Sequence, residues 1–208
     1  MFMKIHPIIP EISGVENSPL IIGISAFLFV AVAVMVAVLV GGHAAKRFKG
    51  NKKKVIAGFV VLSSVIAVLL FAFFGLSARA VRGIIFCHIL LVSSYADIKT
   101  RKCDDWLHIM ILLAGFIGLQ VTAIPGRIFT ALFIGIIMLL PALVGKKRNI
   151  GGADIKLSAT CAFLLGIGSG TIGLILGLTG AILIKKNKAK GFPLLPYLSA
   201  AFMAVYFI

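Results

Sequence analysis

Apolar stretches long enough to cross a bilayer recur from one end of this 208-residue sequence to the other. A spanning helix needs roughly 20 mostly apolar residues. Segments of that size, with short basic loops between them, use up nearly the whole chain, so no room remains for a sizeable soluble domain. The residues are 61% hydrophobic and the mean hydropathy is +1.14, well above a soluble composition. The expected fold class is all-α: a polytopic transmembrane helical bundle of about six to eight spans.

The apolar segments cover residues 20–42, 55–76, 83–98, 106–124 and 128–145. A sixth starts near Ala153 and is interrupted over 166–170, a seventh covers 171–184, and a last one, 192–208, carries Pro193 and Pro196 and is short for a full crossing. Arg79 and Arg82 read as part of a short link, and Pro125-Gly126-Arg127 as a tight turn. Loops after segments one, three, five and seven hold six, three, three and four basic residues; those after two, four and six hold two, one and none. The positive-inside rule then places the N-terminus outside and the basic loops in the cytoplasm of a multi-pass cell-membrane protein. The net charge of +15 follows from this topology and from contact with the anionic headgroups of a lipid bilayer, and no nucleic-acid partner is implied. No cleaved signal peptide is evident, because the first 19 residues lack a basic-then-apolar pattern.

Only six residues are acidic. Glu11 and Glu16 precede the first segment. Asp97 ends one apolar segment, Asp154 begins another, and Asp104 and Asp105 lie between, all among the basic loops. Two readings stand side by side. In the first, Asp154 caps its helix and Asp97 pairs with Lys99, Arg101 or Lys102. In the second, the two face each other across a helix interface, where neighbouring carboxyls cannot easily both ionise. The charged one then takes a proton from water and the neutral one polarises a carbonyl. Asp104 and Asp105 are adjacent, about 100° apart on a helix, and cannot form such a pair with each other. Ser93, Ser94 and Leu90 share a helical face with Asp97, as Ser158 and Cys161 do with Asp154.

The stretch Gly151-Gly152-Ala153-Asp154-Ile155-Lys156-Leu157 resembles the GxGDxKL motif of type IV prepilin peptidases. Asp97 to Leu107 is similar to their other signature, an Asp followed by a basic stretch and Ile-Pro-Asn or Ile-Pro-Asp before an apolar helix. Gly191 to Leu198 resembles their Pro-rich segment. The three lie in the expected order over roughly 86–201. The resemblance implies an aspartyl endopeptidase with catalytic Asp97 and Asp154. It implies cleavage, at the cytoplasmic membrane face, of a basic leader from a membrane-inserted pilin-like or flagellin-like precursor protein. Gly151, Gly152, Ala153 and Lys156 are carried over as motif positions that shape the site. Asp104 and Asp105 are candidate contacts to the leader. Residues 1–208 then form one membrane-embedded peptidase domain, with spans and a basic loop over 1–82 and the catalytic core over 83–208.

Ala153 stands where the motif has its second Gly, and Cys103 and Asp104 replace Ile and Pro. The first basic loop lacks the paired CxxC motifs of members that also methylate, so peptidase activity alone is expected, as in the shorter members. In presenilin-type proteases Tyr directly precedes the first Asp, whereas Ala96 separates Tyr95 from Asp97. No cofactor is implied, and no metal: Cys87, Cys103 and Cys161 form no CxxC pair, His88 and His108 read as packed in apolar helices, and no HExxH, GxSxG or P-loop occurs. The glycines over 166–180 suggest close helix packing. The alternative function is a small ion- or proton-coupled transporter or channel, for which intramembrane acids are also a mark; an inactive assembly partner is a third.

Overall fold

Eight α-helices form where the eight apolar segments lie, in a computed structural model that describes residues 19–144, 151–184 and 192–208. They are α1 (Pro19–Arg47), α2 (Lys52–Phe74), α3 (Ala78–Thr100), α4 (Asp105–Gly115), α5 (Ile124–Val144), α6 (Gly152–Leu165), α7 (Ile167–Ile184) and α8 (Leu195–Val205). No strand occurs among the described residues. Five helices (α1, α2, α3, α5 and α7) are long and apolar enough to cross a membrane, whereas α4, α6 and α8 are shorter. Glu11, Glu16, Lys146 to Arg148 and the basic stretch Lys185 to Lys190 lie outside the described residues.

Four boundaries differ from the hydropathy reading, each for a local reason. Ser77 accepts the Ala80 N–H at 3.2 Å as the cap of α3, so Arg79 and Arg82 stand inside the helix and not in a link. Segment 106–124 is not one helix: α4 stops at Gly115, and the chain turns with Gly118 at φ +67. Pro125-Gly126-Arg127 is not the turn but the first turn of α5, where a missing N–H costs no intrahelical bond. Between α6 and α7 the break is a single residue, Gly166, at φ +85.

Large apolar side chains face outward on the long helices; Phe27 is 72% exposed, and Leu39, Phe73, Leu132 and Ile182 are comparably bare. A water-facing surface of this kind would be an aggregation hazard. Against lipid tails it is the required one, because a helix pairs the backbone groups of its interior within itself and can present apolar side chains to lipid. The chain is therefore a membrane-embedded helical bundle.

Small residues set the helix contacts, as expected where lipid competes equally for large apolar side chains. The buried stripe of α1 reads Ala33, Ala37, Gly41, Ala44 and Ala45 and lies on α2. On α7, Gly170, Gly173 and Gly177 face Ala162, Phe202 and Leu198, while Gly168 and Gly180 have open space. The close-packing role expected over 166–180 therefore belongs to three of its glycines. Helix α3 is central, touching α1, α2, α4 and α8. His88 is a satisfied core residue, its Nδ1–H donating to the Ile84 carbonyl at 2.7 Å and Nε2 meeting the Ser63 hydroxyl at 2.9 Å.

Gly166 adopts φ +85, ψ 175, a region open essentially to glycine alone, and a Cβ there would strike the Arg127 guanidinium. Gly166→Ala is expected to destabilise by about 1–3 kcal/mol. Thermal unfolding followed by the fluorescence of Trp106 checks this; an unchanged midpoint would contradict it.

Candidate active site

The C-terminal turn of α3 delivers Asp97, and the helix ends just after it with Arg101 in the left-handed region at φ +56. Asp97 is only 8% exposed. Its Oδ2 accepts the Leu195 N–H at 3.3 Å, so this carboxyl holds the start of α8. Prolines explain why that N–H is on offer. Pro193 and Pro196 flank it and donate nothing, and the first N–H groups of a helix have no partner within it.

Asp154 stands in the first turn of α6 and is 6% exposed. Its Oδ2 accepts the N–H of Gly151, the residue before the helix, at 2.9 Å. This is the capping role the sequence allowed, but it uses one oxygen. Oδ1 is buried with no hydrogen-bond partner among the described residues. Buried polar atoms are as a rule hydrogen-bonded, to water where protein does not supply the partner. Asp154 thus gives one oxygen to its helix and leaves the other without a hydrogen-bond partner among the described residues.

The two carboxyls lie within electrostatic reach of each other. The charge of Asp97 acts on Asp154, and Cys103, in the loop between α3 and α4, lies within electrostatic reach of both. Burial pushes the Cys103 thiol up to about 11. It is protonated at neutral pH and is no nucleophile there.

The motif positions have separate explanations. A Cβ on Gly151 would sit 3.2 Å from Asp154 Oδ2, whereas one on Gly152 meets nothing within 4 Å. Neither glycine has a positive φ. Ala153 is helical and packs on the core, so its departure from glycine carries no strain. Lys156 neither joins the buried pair nor runs free to the headgroups: its Nζ meets Asp105 Oδ1 at 2.7 Å. Asp104 pairs with Arg47 at 2.9 Å, tying the end of α1 to the loop before α4. The two candidate leader contacts are therefore at the site's rim, each with a cation partner.

The Lys156–Asp105 pair is exposed, with hydrogen bonding to Lys156 holding the Asp105 carboxyl below the usual carboxylate range. A depressed folded-state pKa contributes stability above the unfolded value, which is lost as pH falls through the folded one. An exposed pair contributes little. Lys156→Ala is expected to leave the unfolding midpoint unchanged at pH 7 and to return the Asp105 titration, followed by its carboxyl carbon resonance, to the ordinary range. An unshifted titration would refute the pairing.

Sequence reasoning placed Ser158 on the face of Asp154 but did not find the Leu195 N–H, nor the other buried polar side chains on the neighbouring short helices. His108 on α4, Ser158 on α6 and Ser199 on α8 are buried, and both His108 nitrogens and both hydroxyls lack a hydrogen-bond partner among the described residues. The available signal for His108 was its spacing, three and four residues beyond Asp105 and Asp104, on one helical face with them. No group of residues suited to hold a metal occurs among the described residues.

The arrangement suits acid–base chemistry on a buried polar substrate atom. Two carboxyls within electrostatic reach, one with an unengaged oxygen, can divide between proton acceptor and proton donor. The profile of the type IV leader peptidase family matches residues 84–208, the stretch from early α3 to the end that contains both aspartates. No curated protein and no solved structure matches the chain.

Proposed function

Because the chain belongs to the type IV leader peptidase family and is therefore a protease, we propose that it is an aspartyl endopeptidase that uses Asp97 and Asp154 to cleave the leader of a membrane-inserted pilin-like or flagellin-like precursor. The observation that carries this reading is the pair of buried carboxyls within electrostatic reach, of which Asp154 keeps Oδ1 unengaged. Water held between them loses a proton to the ionised carboxyl as it attacks the scissile carbonyl. The protonated carboxyl donates to the carbonyl oxygen, giving a tetrahedral gem-diol with no covalent enzyme intermediate. Proton return to the departing amine completes hydrolysis.

Both aspartates lie at the same end of the bundle as Arg47 and Lys156, which supports a site at one membrane face, and the basic loops of the sequence favour the cytoplasmic one. A transporter would carry its acids near the midplane instead. An apolar groove of about 520 Å³ runs between α1, α3 and α4 and reaches Trp106 and Leu107 beside that end. The precursor's apolar helix packs there, which leaves its leader junction at the carboxyls. Asp104 and Asp105 receive the basic leader by exchanging Arg47 and Lys156 for its cations.

The test is purified protein in lipid vesicles, incubated with pilin-like and flagellin-like precursors from the same genome, with products read by mass spectrometry. Cleavage at the leader junction is expected. Intact precursors throughout would defeat the substrate assignment.

A further inference from the structure

At the end of the bundle away from the aspartates, α4, α6 and α8 stop at Gly115, Leu165 and Val205. The last carbonyls of a helix have no intrahelical donors and carry partial negative charge. One arginine is aimed at each of these ends. Arg82 Nη1 donates to the Ile117 carbonyl at 3.4 Å, Arg127 Nη1 to that of Leu164 at 3.1 Å, and Arg79 Nη2 to that of Tyr206 at 3.4 Å. Tyr206 ties two of them together: Arg82 Nε donates to its hydroxyl at 3.2 Å, and the hydroxyl donates to the Arg79 carbonyl at 2.6 Å.

Capping does not use up the charge. Each helix end supplies roughly half a negative charge, which leaves about 1.5 positive charges on the three half-buried guanidiniums. No Asp or Glu among the described residues pairs with them. Asp97 lies a helix length away along α3, about 27 Å from Arg79. The three arginines, Ser169 and Tyr206 line a cavity of about 210 Å³. Clustered cations taken partly out of water need a counter-charge, and the guanidinium fork matches tetrahedral oxyanions in particular.

We propose that this cavity binds a phosphate group, carried by a membrane phospholipid or free as inorganic phosphate. The site stands apart from the aspartate pair and does not depend on the proteolytic reading. A phosphodiester or a phosphate ion carries about the charge that the arginines leave over.

The experiment measures thermal unfolding of delipidated protein in detergent. It is titrated with sodium phosphate against sodium chloride at equal ionic strength, and separately with phosphatidylglycerol against diacylglycerol. At about a hundredfold excess over the dissociation constant, the midpoint is expected to rise by about 5–10 °C. A rise with both phosphate and phosphatidylglycerol identifies the bare anion as sufficient; a rise with the lipid alone identifies a headgroup site. Arginine variants would lose helix caps and could fail to fold, so the discriminating variant is Ser169→Glu. It puts a carboxylate into the cavity in the first turn of α7, where negative charge is favoured. It is expected to fold and to respond to neither ligand. A wild type indifferent to both ligands, or a Ser169→Glu variant that responds as wild type does, would overturn the proposal. So would an indifferent wild type made responsive by Glu11→Gln with Glu16→Gln, which would assign the cavity to the chain's own carboxylates.

Discussion

Asp154→Asn is expected to lower the rate of precursor cleavage by at least about 10³-fold while leaving the unfolding midpoint within a few degrees of wild type. The two halves of this expectation come from the two oxygens. Oδ2 accepts the Gly151 N–H at 2.9 Å, a bond that the carbonyl oxygen of Asn reproduces, so the start of α6 is preserved. Oδ1 has no hydrogen-bond partner among the described residues, and an amide in its place can neither take a proton from water nor give one to a carbonyl. Asp97→Asn follows the same logic, because its amide oxygen still accepts from Leu195 N–H. Asp154→Ala differs: it loses the cap as well and is expected to be less stable by about 1 kcal/mol. Steady-state cleavage together with thermal unfolding separates these cases. If Asp154→Asn lost stability in proportion to activity, capping alone would explain the residue.

The second large effect is mechanical. A Cβ at Gly177 would lie 2.9 Å from the Leu198 Cα, a backbone atom that cannot rotate away. Gly177→Val therefore drives α7 and α8 apart, and overpacking of this kind costs about 3 kcal/mol. Leu195, the residue that reaches Asp97, begins α8 and moves with it. Cleavage is expected to fall by more than the loss of folded protein accounts for. Gly180→Val is the control, since none of the described residues lies within 4 Å of a Cβ at that position, and it should match wild type in both assays. Equal behaviour of the two variants would show that α7 and α8 are not in close contact.

How much of this was readable in advance depended on which physical signal each feature left. Helices in lipid announce themselves by length and apolarity, so the all-α bundle and its order were legible. The early stop of α4 was not, because residues 106–124 are apolar across the turn and hydropathy is blind to it. Gly118 and the proline at 125 were the available marks, and the second pointed to the wrong turn. At the site, Asp97 and Asp154 stood out because carboxyls are scarce in this chain and lie in distinctive motifs. The Leu195 N–H was invisible because a backbone donor has no sequence signature beyond the prolines beside it. His108 was read as packing, since one histidine in an apolar helix carries no sign of which helix it will face. The small-residue stripes gave contact but not partner: five glycines from 168 to 180 look alike in sequence, and among the described residues only Gly170, Gly173 and Gly177 meet a neighbouring helix.

The central claim is that Asp97 and Asp154 act as one unit on a single water. Cleavage rates of wild type, Asp97→Asn, Asp154→Asn and the double variant, in the same vesicles with the same precursor, test it most directly. Groups that act together are strongly non-additive, so the double variant should be no slower than either single one. Losses that multiply, or full activity in either single variant, would contradict it.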